Sequence, residues 1–569
     1  MRRSALLALI VLALYACSDA TGPSPTAPAI VSIGPNRARP NSGPFALVVN
    51  GRNFRDSSVV QWNGAPRLTT FVDSTRLVAF IDDQDVVAPA TAEIRVVNPN
   101  GERSTAVAFV IADNAVAFGT DSIVPPCCGD ASAGVTVAVY FNEPLDTASL
   151  GDNPLQVLDG VTPVAGAVSY DPATKSLRFS TPLAALRSYT ARVDDRIHST
   201  SGGALANPVV WNFTTARGAL VILDSPGDFA SLVLGADGRP RIAYRWSESV
   251  AFTMTLRLAT CSGDCTQRTG WTTTTLDDAG GAGKVGLYAS LAANSSGGLS
   301  VAYQDFGNDA AKYAAAGSGN VAVAGGGVGA FTSLAIAPAN RLHLTYFAAG
   351  DLRSATCASS CLVQANWAST TVDTLGNVGA FSSVAVDAGG RVHVAYFEDG
   401  NGDLRYATCP GPCSPAAWTV GIVDTAGRVG IGSSLLVDSQ GALHVTYEDQ
   451  SNGTVKYATC SASCDIATNW ASRVVATVAA PNADVGFYRP SLALGPGDQL
   501  EVAFANLVTG RYEGATCSTA CAGAGAWTVV PLSLQGPGNF RLTSLKVTSG
   551  GTRHLAWTDA AGSLKYMQY

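Results

Sequence analysis

Short apolar runs separated by polar turns are the first regularity along the chain. Between residues 28 and 113 these runs are Ala46–Val49, Val59–Trp62, Leu77–Ile81, Glu93–Val97 and Val107–Ile111. Runs this short, bounded by turn residues, are typical of the strands of a β-sandwich. The pattern therefore predicts an all-β protein that begins with a sandwich.

From residue 218 to residue 569 the chain repeats one pattern at a period of about 50 residues. The best copies contain the motifs D-x-x-G-x-x-H-V-x-Y and Y-A-T-C-x-x-x-C, then a Trp, a Val/Thr run and V-G-x-[FY]. Four strand-like runs per copy are the pattern of a β-propeller blade. The copies begin at Ser231, Ser290, Ser333, Ser383, Ser434, Ser491 and Ser544.

The last copy leaves room for only three strands before Tyr569, and a spare apolar run, GALVILD at 218–224, precedes the first copy. Pairing this run with the last copy would complete the seventh blade and close the ring. Closure would also remove the exposed sheet edges that invite aggregation. The repeats therefore predict a seven-bladed β-propeller over residues 218–569 with terminal-strand closure.

The chain contains few charged residues. Charged residues make up 14% of the chain, the net charge is -7, and the 36 Lys and Arg residues are scattered. A nucleic-acid-binding surface needs clustered cations, so we do not expect a nucleic acid as partner. The 59 Gly and 28 Pro residues fit many turns.

The N-terminus has the pattern of an export signal. Arg2 and Arg3 precede the apolar run Ala5–Ala16, which is too short to span a membrane. Leu14-Tyr15-Ala16-Cys17 resembles the lipobox of bacterial lipoproteins. The resemblance implies a signal peptide at 1–17, diacylation of Cys17, a linker at 18–29 and an outer-membrane or cell-surface location. An ordinary signal peptide is the alternative.

Export implies an oxidising compartment, so the regularly spaced cysteines favour disulfides. Zinc is the weaker alternative, because no C-x-x-x-C pair has the further ligands of a finger-like site. Adjacent Cys127 and Cys128 could form a vicinal disulfide or bridge two molecules, and the sequence leaves their state open. The five expected disulfides are Cys261–Cys265, Cys357–Cys361, Cys409–Cys413, Cys460–Cys464 and Cys517–Cys521.

Residues 30–113 resemble the IPT/TIG immunoglobulin-like family. The matching motifs are the opening I-x-x-I-x-P at residues 30–35, G-x-x-F at 51–54 and the closing V-N-P-N-G at 97–101. Gly51 and Gly101 are expected in turns, and Phe54 is expected in the core. The resemblance implies a spacer or a protein-contact module.

Residues 115–217 resemble the bacterial Ig-like domain of surface-layer proteins. The segment Val139–Asp146 matches that family's V-x-F-S-E-P-x-D motif with Asn142 in place of Ser, and the segment closes on W-N-F-T-T at 211–215. The predicted fold class is therefore all-β, with two Ig-like β-sandwiches followed by a seven-bladed β-propeller.

Two repeated features mark one face of the propeller as a candidate ligand-binding surface. One is the V-G-x-[FY] aromatic set, and the other is the acidic turn after the second strand. Aromatic rings and carboxylates around a channel suit a sugar or an extended peptide, whereas an architectural role would wedge the rings between blades and cap turns with the carboxylates. The candidate residues are Tyr288, Phe331, Phe381, Phe487, Tyr488, Asp305, Asp399, Asp403, Asp449 and Asp559.

No catalytic residues and no metal ligands are predicted. The turn Asp399–Asp403 resembles the start of a calcium loop, but Leu404 and Pro410 stand where Gly and Glu belong, so calcium is only an alternative to no cofactor. The repeated His343, His393, His444 and His554 are expected to be structural.

These features predict an exported, lipid-anchored, monomeric surface protein. Its two sandwiches would form a stalk, and its propeller would recognise carbohydrate or protein without catalysis. Two alternatives stay open. The propeller could be a glycoside hydrolase or polysaccharide lyase, because carboxylates from different blades could act on a glycosidic bond. The chain could also be a structural envelope component.

Overall fold

The computed structural model describes residues 27–112, 118–127, 129–194, 197, 199–200, 205, 208–247, 253–281, 283–325, 327–411, 413–483, 487–538 and 540–569. Within these residues the chain forms 47 β-strands and short 3-10 turns. Cys17 and Cys128 lie outside the described residues. The 3-10 turns are Asp83–Val86, Thr147–Ser149, Arg268–Gly270, Ala279–Gly281, Pro338–Asn340, Gln364–Asn366, Pro415–Ala417, Ala467–Asn469 and Pro496–Asp498.

The first folded unit is a β-sandwich of two sheets. Its sheets have the strand orders β1-β3-β7-β6 and β2-β9-β8-β4-β5. The strands are β1 (Ala29–Gly34), β2 (Arg37–Ala38), β3 (Phe45–Arg52), β4 (Val59–Trp62), β5 (Ala65–Pro66), β6 (Thr69–Asp73), β7 (Arg76–Ile81), β8 (Ala90–Val97) and β9 (Val107–Ile111).

Aromatic residues fill the core of this sandwich. The ring centroids of Trp62 and Phe109 lie 4.9 Å apart, and Phe54 is buried beside them as predicted. Gly101 lies in a turn with φ +84°. The prediction of a turn at Gly51 is wrong, because this residue lies inside β3. A Cβ there would come within 2.4 Å of the Phe54 ring, so the glycine makes room for that ring.

The second unit is also a sandwich, with the sheet orders β10-β12-β16-β15 and β11-β18-β17-β13-β14. Trp211 is fully buried in its core. The strands are β10 (Thr120–Val124), β11 (Asp130–Ala131), β12 (Val137–Phe141), β13 (Leu155–Asp159), β14 (Thr162–Pro163), β15 (Ala167–Asp171), β16 (Ser176–Ser180), β17 (Ser188–Val193) and β18 (Val209–Thr215).

Seven further sheets follow, one for each predicted blade. The chain first forms β19 (Ala219–Asp224). Blades 1 to 3 are β20 (Asp228–Leu234), β21 (Pro240–Ser247), β22 (Met254–Cys261), β23 (Trp271–Asp277); β24 (Val285–Ala293), β25 (Leu299–Asp305), β26 (Ala310–Ala315), β27 (Gly319–Gly325); and β28 (Val328–Ile336), β29 (Leu342–Ala348), β30 (Asp351–Cys357), β31 (Ala368–Asp373).

Blades 4 to 6 are β32 (Val378–Val386), β33 (Val392–Glu398), β34 (Asp403–Cys409), β35 (Thr419–Asp424); β36 (Val429–Val437), β37 (Leu443–Asp449), β38 (Thr454–Cys460), β39 (Ala471–Thr477); and, after a short strand β40 (Phe487–Arg489), β41 (Ser491–Leu494), β42 (Leu500–Asn506), β43 (Arg511–Cys517), β44 (Thr528–Ser533). Blade 7 consists of β45 (Phe540–Val547), β46 (Arg553–Thr558), β47 (Leu564–Gln568) and the early strand β19.

The two ends of the propeller segment close the ring. Strand β19 pairs antiparallel with β47 and completes blade 7, with Ala219 opposite Gln568. The innermost strands β20 and β45 of the first and last blades pack against each other. This arrangement confirms the predicted fold class, two sandwiches followed by a seven-bladed propeller with terminal-strand closure.

The serine that begins each repeat joins neighbouring blades. Each of six such hydroxyls accepts a hydrogen bond from a backbone N–H of the next innermost strand. The Leu232 amide, for example, donates to Ser544 Oγ at 2.8 Å across the closure. A repeated hydroxyl therefore satisfies a backbone donor that blade-to-blade packing would otherwise bury unpaired.

All five predicted disulfides of the repeats are present. Each closes the loop between the third and fourth strands of a blade, with a Cα–Cα distance of 5.6 to 5.8 Å. In four of these loops a tryptophan indole N–H donates to the carbonyl of the second cysteine at 2.8 to 3.0 Å. Cys127 is also disulfide-bonded.

Polar contacts attach the second sandwich to the outer rim of blades 6 and 7. Arg217 Nε donates to the Pro531 carbonyl at 3.0 Å, and Gln535 Nε2 donates to Thr214 Oγ1 at 3.1 Å. Ser533 Oγ donates to the Asp130 carboxylate. Several hydrogen bonds in one place restrict the hinge between the sandwich and the propeller.

Candidate functional site

Strand direction assigns each loop to one of two propeller faces. In each four-stranded antiparallel blade, the loop between the second and third strands lies on the same face as the loop to the next blade. We call this the top face. The disulfide loops lie on the opposite face, as do the loops between the first and second strands.

Three of the acidic candidates on the top face hold their own loops in shape. Asp305 accepts hydrogen bonds from the backbone and side chain of Asn308 at 3.0 and 2.9 Å, and Asp449 accepts the same pair from Asn452. Asp559 accepts two backbone hydrogen bonds and pairs with Lys565 at 3.0 Å. Their oxygens are therefore engaged within the fold.

A repeated polar triad lies beneath the top face, at the boundaries between blades. In each triad an Asp at the end of an outermost strand accepts hydrogen bonds from a Tyr and an Arg or Lys of the following blade. Asp373, for example, lies 2.6 Å from Tyr396 Oη and 2.8 Å from Arg405 Nη1. The triads are Asp224–Tyr244–Arg257, Asp277–Tyr303–Lys312, Asp373–Tyr396–Arg405 and Asp424–Tyr447–Lys456.

Charge pairing controls protonation in these triads. Burial raises the pKa of Asp424, but hydrogen bonds from Lys456 Nζ and Tyr447 Oη outweigh burial and hold the pKa below its ordinary value. Burial, reinforced by the charge of Asp373, raises the pKa of Tyr396 well above its ordinary value. These shifts favour the carboxylate form of Asp424 and the neutral phenol form of Tyr396.

Asp399 has a different environment, because it belongs to an exposed cluster on the top face. Its carboxylate lies 2.7 Å from Arg428 Nη2 and accepts a hydrogen bond from Asn377 Nδ2 at 3.3 Å. The Arg428 guanidinium lies 4.8 Å from the centre of the Phe397 ring. Leu375 is 69% exposed on the neighbouring loop. We call Leu375, Asn377, Asp399 and Arg428 the Asp399 cluster.

Asp403 follows the same loop. Burial, together with the negative charge of nearby Glu398, raises the pKa of its carboxyl group. Glu398 itself is buried and accepts hydrogen bonds from the backbone amides of Gly400 and Asn401. These contacts fix the loop that presents Asp399.

The predicted aromatic residues Tyr288, Phe331 and Phe381 line the central channel rather than the outer top surface. Each lies at a bulge of an innermost strand with φ between 51° and 54°, and Phe229 of blade 1 has the same conformation. Ring centroids of successive blades are 5.0, 4.5 and 4.4 Å apart. The stacked rings leave a cavity of about 40 Å³.

The ring of aromatic side chains is interrupted in blades 5 to 7. Gly432 occupies the position in blade 5, where a Cβ would come within 2.2 Å of the Tyr488 carbonyl oxygen. Strand β40 approaches here and pairs parallel with β45. Tyr488 points into the core and donates a hydrogen bond to the Ala505 carbonyl at 2.6 Å. The side chain of Phe487 lies outside the described part of the molecule.

The repeated histidines lie near the opposite face, and three of them form hydrogen bonds with tyrosine hydroxyl groups. His393, His444 and His554 each place Nδ1 2.6 to 2.7 Å from a tyrosine hydroxyl. Burial lowers the pKa of His343 to about 4. No group of three or more His, Cys, Asp or Glu residues is arranged for a metal ion within the described residues.

The structure also identifies site residues that the sequence analysis missed. Phe229 and Arg489 both stand two positions before a repeat serine, as Tyr288 and Phe331 do, and both line the channel cavity. Counting from the serine, instead of searching for V-G-x-[FY], finds both residues. Leu375 and Arg428 lie in two loops that share the sequence D-T-x-G-x-V-G, but both occupy variable positions of this motif, so the repeat does not mark them.

The comparison with protein families identifies the second sandwich. Residues 102–215 match the family model Big_5, the bacterial Ig-like domain. This match covers the strands β10 to β18 together with β9 of the first sandwich, and it confirms the resemblance of residues 115–215. No curated protein matches the sequence. No helix within the described residues is long and apolar enough to cross a membrane.

Solved structures similar to the chain include enzymes that act on carbohydrate. The sialidase NanB from Streptococcus pneumoniae is 10% identical, with 92% of this chain and 94% of that chain covered and a TM-score of 0.39. The polysaccharide lyase Uly1 is 12% identical, with coverages of 61% and 90% and a TM-score of 0.37. The microbial sialidase Hz136 is 11% identical, with coverages of 77% and 94% and a TM-score of 0.36.

Proposed function

We propose that the protein is an exported, lipid-anchored surface protein whose propeller binds carbohydrate through its top face without chemical change. The Asp399 cluster is the observation that carries this proposal. It brings an exposed carboxylate, guanidinium, amide and leucine together from three loops, with the side chains of Asp399 and Arg428 42% and 43% exposed.

The chemistry of the Asp399 cluster suits a sugar. A sugar hydroxyl both donates and accepts hydrogen bonds, and the cluster offers carboxylate acceptors together with guanidinium and amide donors. An exposed leucine beside these groups can cover the apolar face of a sugar ring. The underlying loop is preorganised by Glu398, which reduces the entropic cost of binding.

The state of the other carboxylates supports binding rather than hydrolysis. Glycoside hydrolysis uses two carboxyl groups about 5 to 10 Å apart that flank the scissile bond. Asp305, Asp449 and Asp559 use their oxygens in hydrogen bonds to their own loops. The carboxylates of the triads are buried between blades and neutralised by a cation.

A glycan array with the exported chain tests the proposal. We expect binding to a subset of polysaccharides, and Asp399→Ala and Arg428→Ala should each weaken the affinity by about 10-fold, as expected for lost charge-assisted hydrogen bonds. Asp465→Ala is the matched control, because Asp465 is an exposed carboxylate in a disulfide loop on the opposite face. Equal binding by all three variants would refute the role of the cluster.

The same ligands distinguish the alternative functions. If a bound polysaccharide gains new reducing or unsaturated ends, the propeller is a glycoside hydrolase or a polysaccharide lyase and not only a binding protein. Capture of purified surface proteins, but no glycan, would assign the face to a protein partner. Absence of any ligand on both panels would favour a structural envelope component.

The lipid anchor is proposed on the sequence around Cys17, which lies outside the described residues. The bacterial Ig-like domain supports a surface location, and the two sandwiches would place the propeller away from the membrane. Cys17→Ser should abolish incorporation of labelled fatty acid and release the protein from the membrane fraction. Retention of the label in this variant would contradict lipidation at Cys17.

A further inference from the structure

Blade 3 retains two of the three members of the polar triad. In each of the four triads described above, the tyrosine and the cation are cross-strand partners, as Tyr396 and Arg405 are in blade 4. Tyr346 and Arg353 are the same cross-strand partners in blade 3. The boundary between blades 2 and 3 therefore has the phenol and the guanidinium of a triad.

The aspartate of this triad is replaced by alanine. Ala324 occupies in β27 the register position that Asp373 occupies in β31. Within the described residues, Tyr346 Oη forms one hydrogen bond, a long one of 3.5 Å to Ser369 Oγ. The tyrosines of the four complete triads lie 2.5 to 2.6 Å from their aspartates. The sequence of blade 2 therefore removes one negative charge from this boundary.

A second carboxylate is also absent near Arg353. In blades 2 and 5 an aspartate at the end of the second strand lies 3.8 to 4.0 Å from the cation of the triad. Ala348 has this position in blade 3, two residues after the tyrosine. In the described part of the chain, Arg353 has one ion pair, in which Nη2 lies 3.5 Å from Asp351. The guanidinium is therefore poorly neutralised compared with the other triad cations.

The Arg353 guanidinium is open to solvent on the top face. Its side chain is 40% exposed, whereas the cations of the complete triads are 10 to 24% exposed. The two top-face loops of this boundary have almost no side chains, because residues 325–327 are Gly-Gly-Gly and residues 348–350 are Ala-Ala-Gly. A ligand can therefore approach the guanidinium.

The chemistry of this position suits a ligand carboxylate. In the complete triad of blade 4, Arg405 uses Nη1 to bind the Asp373 carboxylate at 2.8 Å. The Nη1 atom of Arg353 has no partner among the described residues. A guanidinium binds a carboxylate through two parallel hydrogen bonds, so a carboxylate from outside can take the place of the missing aspartate.

Arg353 is close to the Asp399 cluster. The Val378 N–H donates to the Gly350 carbonyl at 2.9 Å, and a Cβ added to Gly350 would lie 3.9 Å from Asn377 Oδ1 of the cluster. Gly350 directly precedes Asp351, the ion-pair partner of Arg353. The two positions therefore belong to adjoining loops of one face, where a single polysaccharide chain can contact both.

We propose that the polysaccharide bound by the top face is acidic, and that Arg353 binds the carboxylate of one of its uronic-acid residues. This inference rests on the proposed function, because it names the class of carbohydrate that the same face recognises. It adds Arg353 as a second contact beside the Asp399 cluster.

Titration of acidic polysaccharides into the full exported chain tests the proposal. Alginate, polygalacturonate and hyaluronate are each compared with the same polymer after carboxyl reduction, at constant ionic strength because salt screens such contacts. We expect at least one acidic polymer to bind and its carboxyl reduction to weaken the affinity about 10-fold or more. Arg353→Gln should weaken binding of the acidic polymer by a similar factor and leave the reduced polymer unaffected.

Arg473→Gln is the matched control, because Arg473 is an exposed arginine on the outermost strand of blade 5. It should bind every polymer as the wild type does. Dextran sulfate controls for negative charge alone and should bind more weakly than the acidic polymer. Equal binding of dextran sulfate, or equal losses in the two arginine variants, would overturn the proposal.

Ala324→Asp provides a test that does not depend on the choice of polymer. The new carboxylate should complete the triad with Tyr346 and Arg353, raise the melting temperature and reduce binding of the acidic polymer as Arg353→Gln does. A lower melting temperature would show that Arg353 cannot accept a carboxylate at this position, which would refute the inference.

The same titrations separate this inference from the proposed function. If neutral polymers bind in a way that depends on Asp399, and carboxyl reduction changes nothing, the acidic ligand is refuted while carbohydrate binding stands. If no polymer of either kind binds, both proposals fail.

Discussion

At the scale of single residues, Gly432 shows how one missing side chain shapes the channel. Its φ is +64°, and an added Cβ would meet the Tyr488 carbonyl oxygen at 2.2 Å and Arg489 Cα at 2.9 Å. Backbone atoms of β40 cannot move aside without disturbing the pairing of β40 with β45. The glycine is therefore required by both conformation and packing.

We predict that Gly432→Ala lowers the free energy of unfolding by about 3 kcal/mol or more, because backbone strain and overpacking add together. Gly441→Ala is the matched control. Its φ is +84°, but nothing lies within 4 Å of the added Cβ. This control should cost about 1 kcal/mol. Chemical denaturation of both variants measures the difference, and equal losses would show that the contact with β40 is unimportant.

A second residue-scale prediction concerns Asp424. The native pKa of this carboxyl lies below its ordinary value, so its stabilisation is present above about pH 4 and is lost as the pH falls through the lower native pKa. Asp424→Asn should remove this part of the acid sensitivity and cost up to about 3 kcal/mol at neutral pH, because Lys456 loses its nearer buried counter-charge and keeps only Asp449, which lies 4.0 Å away.

Denaturation between about pH 2 and pH 7 measures the effect of Asp424→Asn. Asp465→Asn, at an exposed position on the opposite face, serves as the control and should behave as the wild type. An unchanged pH dependence in Asp424→Asn would assign the acid sensitivity to other groups.

At the scale of elements, the loop between the third and fourth strands of a blade is held by a disulfide, which acts as a local clip, and by a hydrogen bond from a tryptophan. Cys460 and Cys464 close a five-residue loop, and Trp470 Nε1 donates to the Cys464 carbonyl at 2.8 Å. Blade 2 forms the same pair of strands without cysteines, through the turn at Gly317. The clip therefore stabilises a connection that the strands can form without it.

Replacement of Cys460 and Cys464 by serine should lower the free energy of unfolding by about 2 kcal/mol, the chain-entropy value for so short a loop. The blade should still form. Thermal unfolding and the fluorescence of Trp470 measure the two effects. Complete loss of the folded propeller in this double variant would show that the clip is needed for folding.

The repeats also show which features of the strands can be predicted from the sequence. The number of strands, the disulfide partners and the repeat serines all recur at the period of about 50 residues, so the sequence alone predicts them. The strand β40 does not, because its parallel pairing with β45 joins segments about 50 residues apart and has no periodic signature. For this reason the motif V-G-x-[FY] finds Phe487 and Tyr488 in blade 6 and misses Arg489.

At the scale of the whole molecule, stability depends on closing the ring. Strand β19 covers the edge of β47, and the Thr558 hydroxyl donates to the Gly227 carbonyl at 2.9 Å across the closure. Without β19, the β47 edge would expose unpaired backbone groups, which promote association between molecules.

A truncated chain that begins at Ser225 should therefore aggregate or form oligomers, whereas a chain that begins at Gly218 should stay monomeric. Light scattering coupled to size-exclusion chromatography measures both. The two chains differ only by the β19 segment, so the comparison isolates ring closure from loss of the sandwiches. A monomeric, equally stable shorter chain would show that the three remaining strands of blade 7 suffice.

The amino-acid sequence by itself determined the all-β class, the seven blades and the five disulfides, because these features come from local periodicity. Tertiary structure alone decided which side chains meet. Asp424 finds Lys456 on the next blade, Arg489 reaches the channel through β40, and Asp399 meets Arg428 from a separate loop. Such meetings depend on the rotation and twist between blades, which no short stretch of residues encodes.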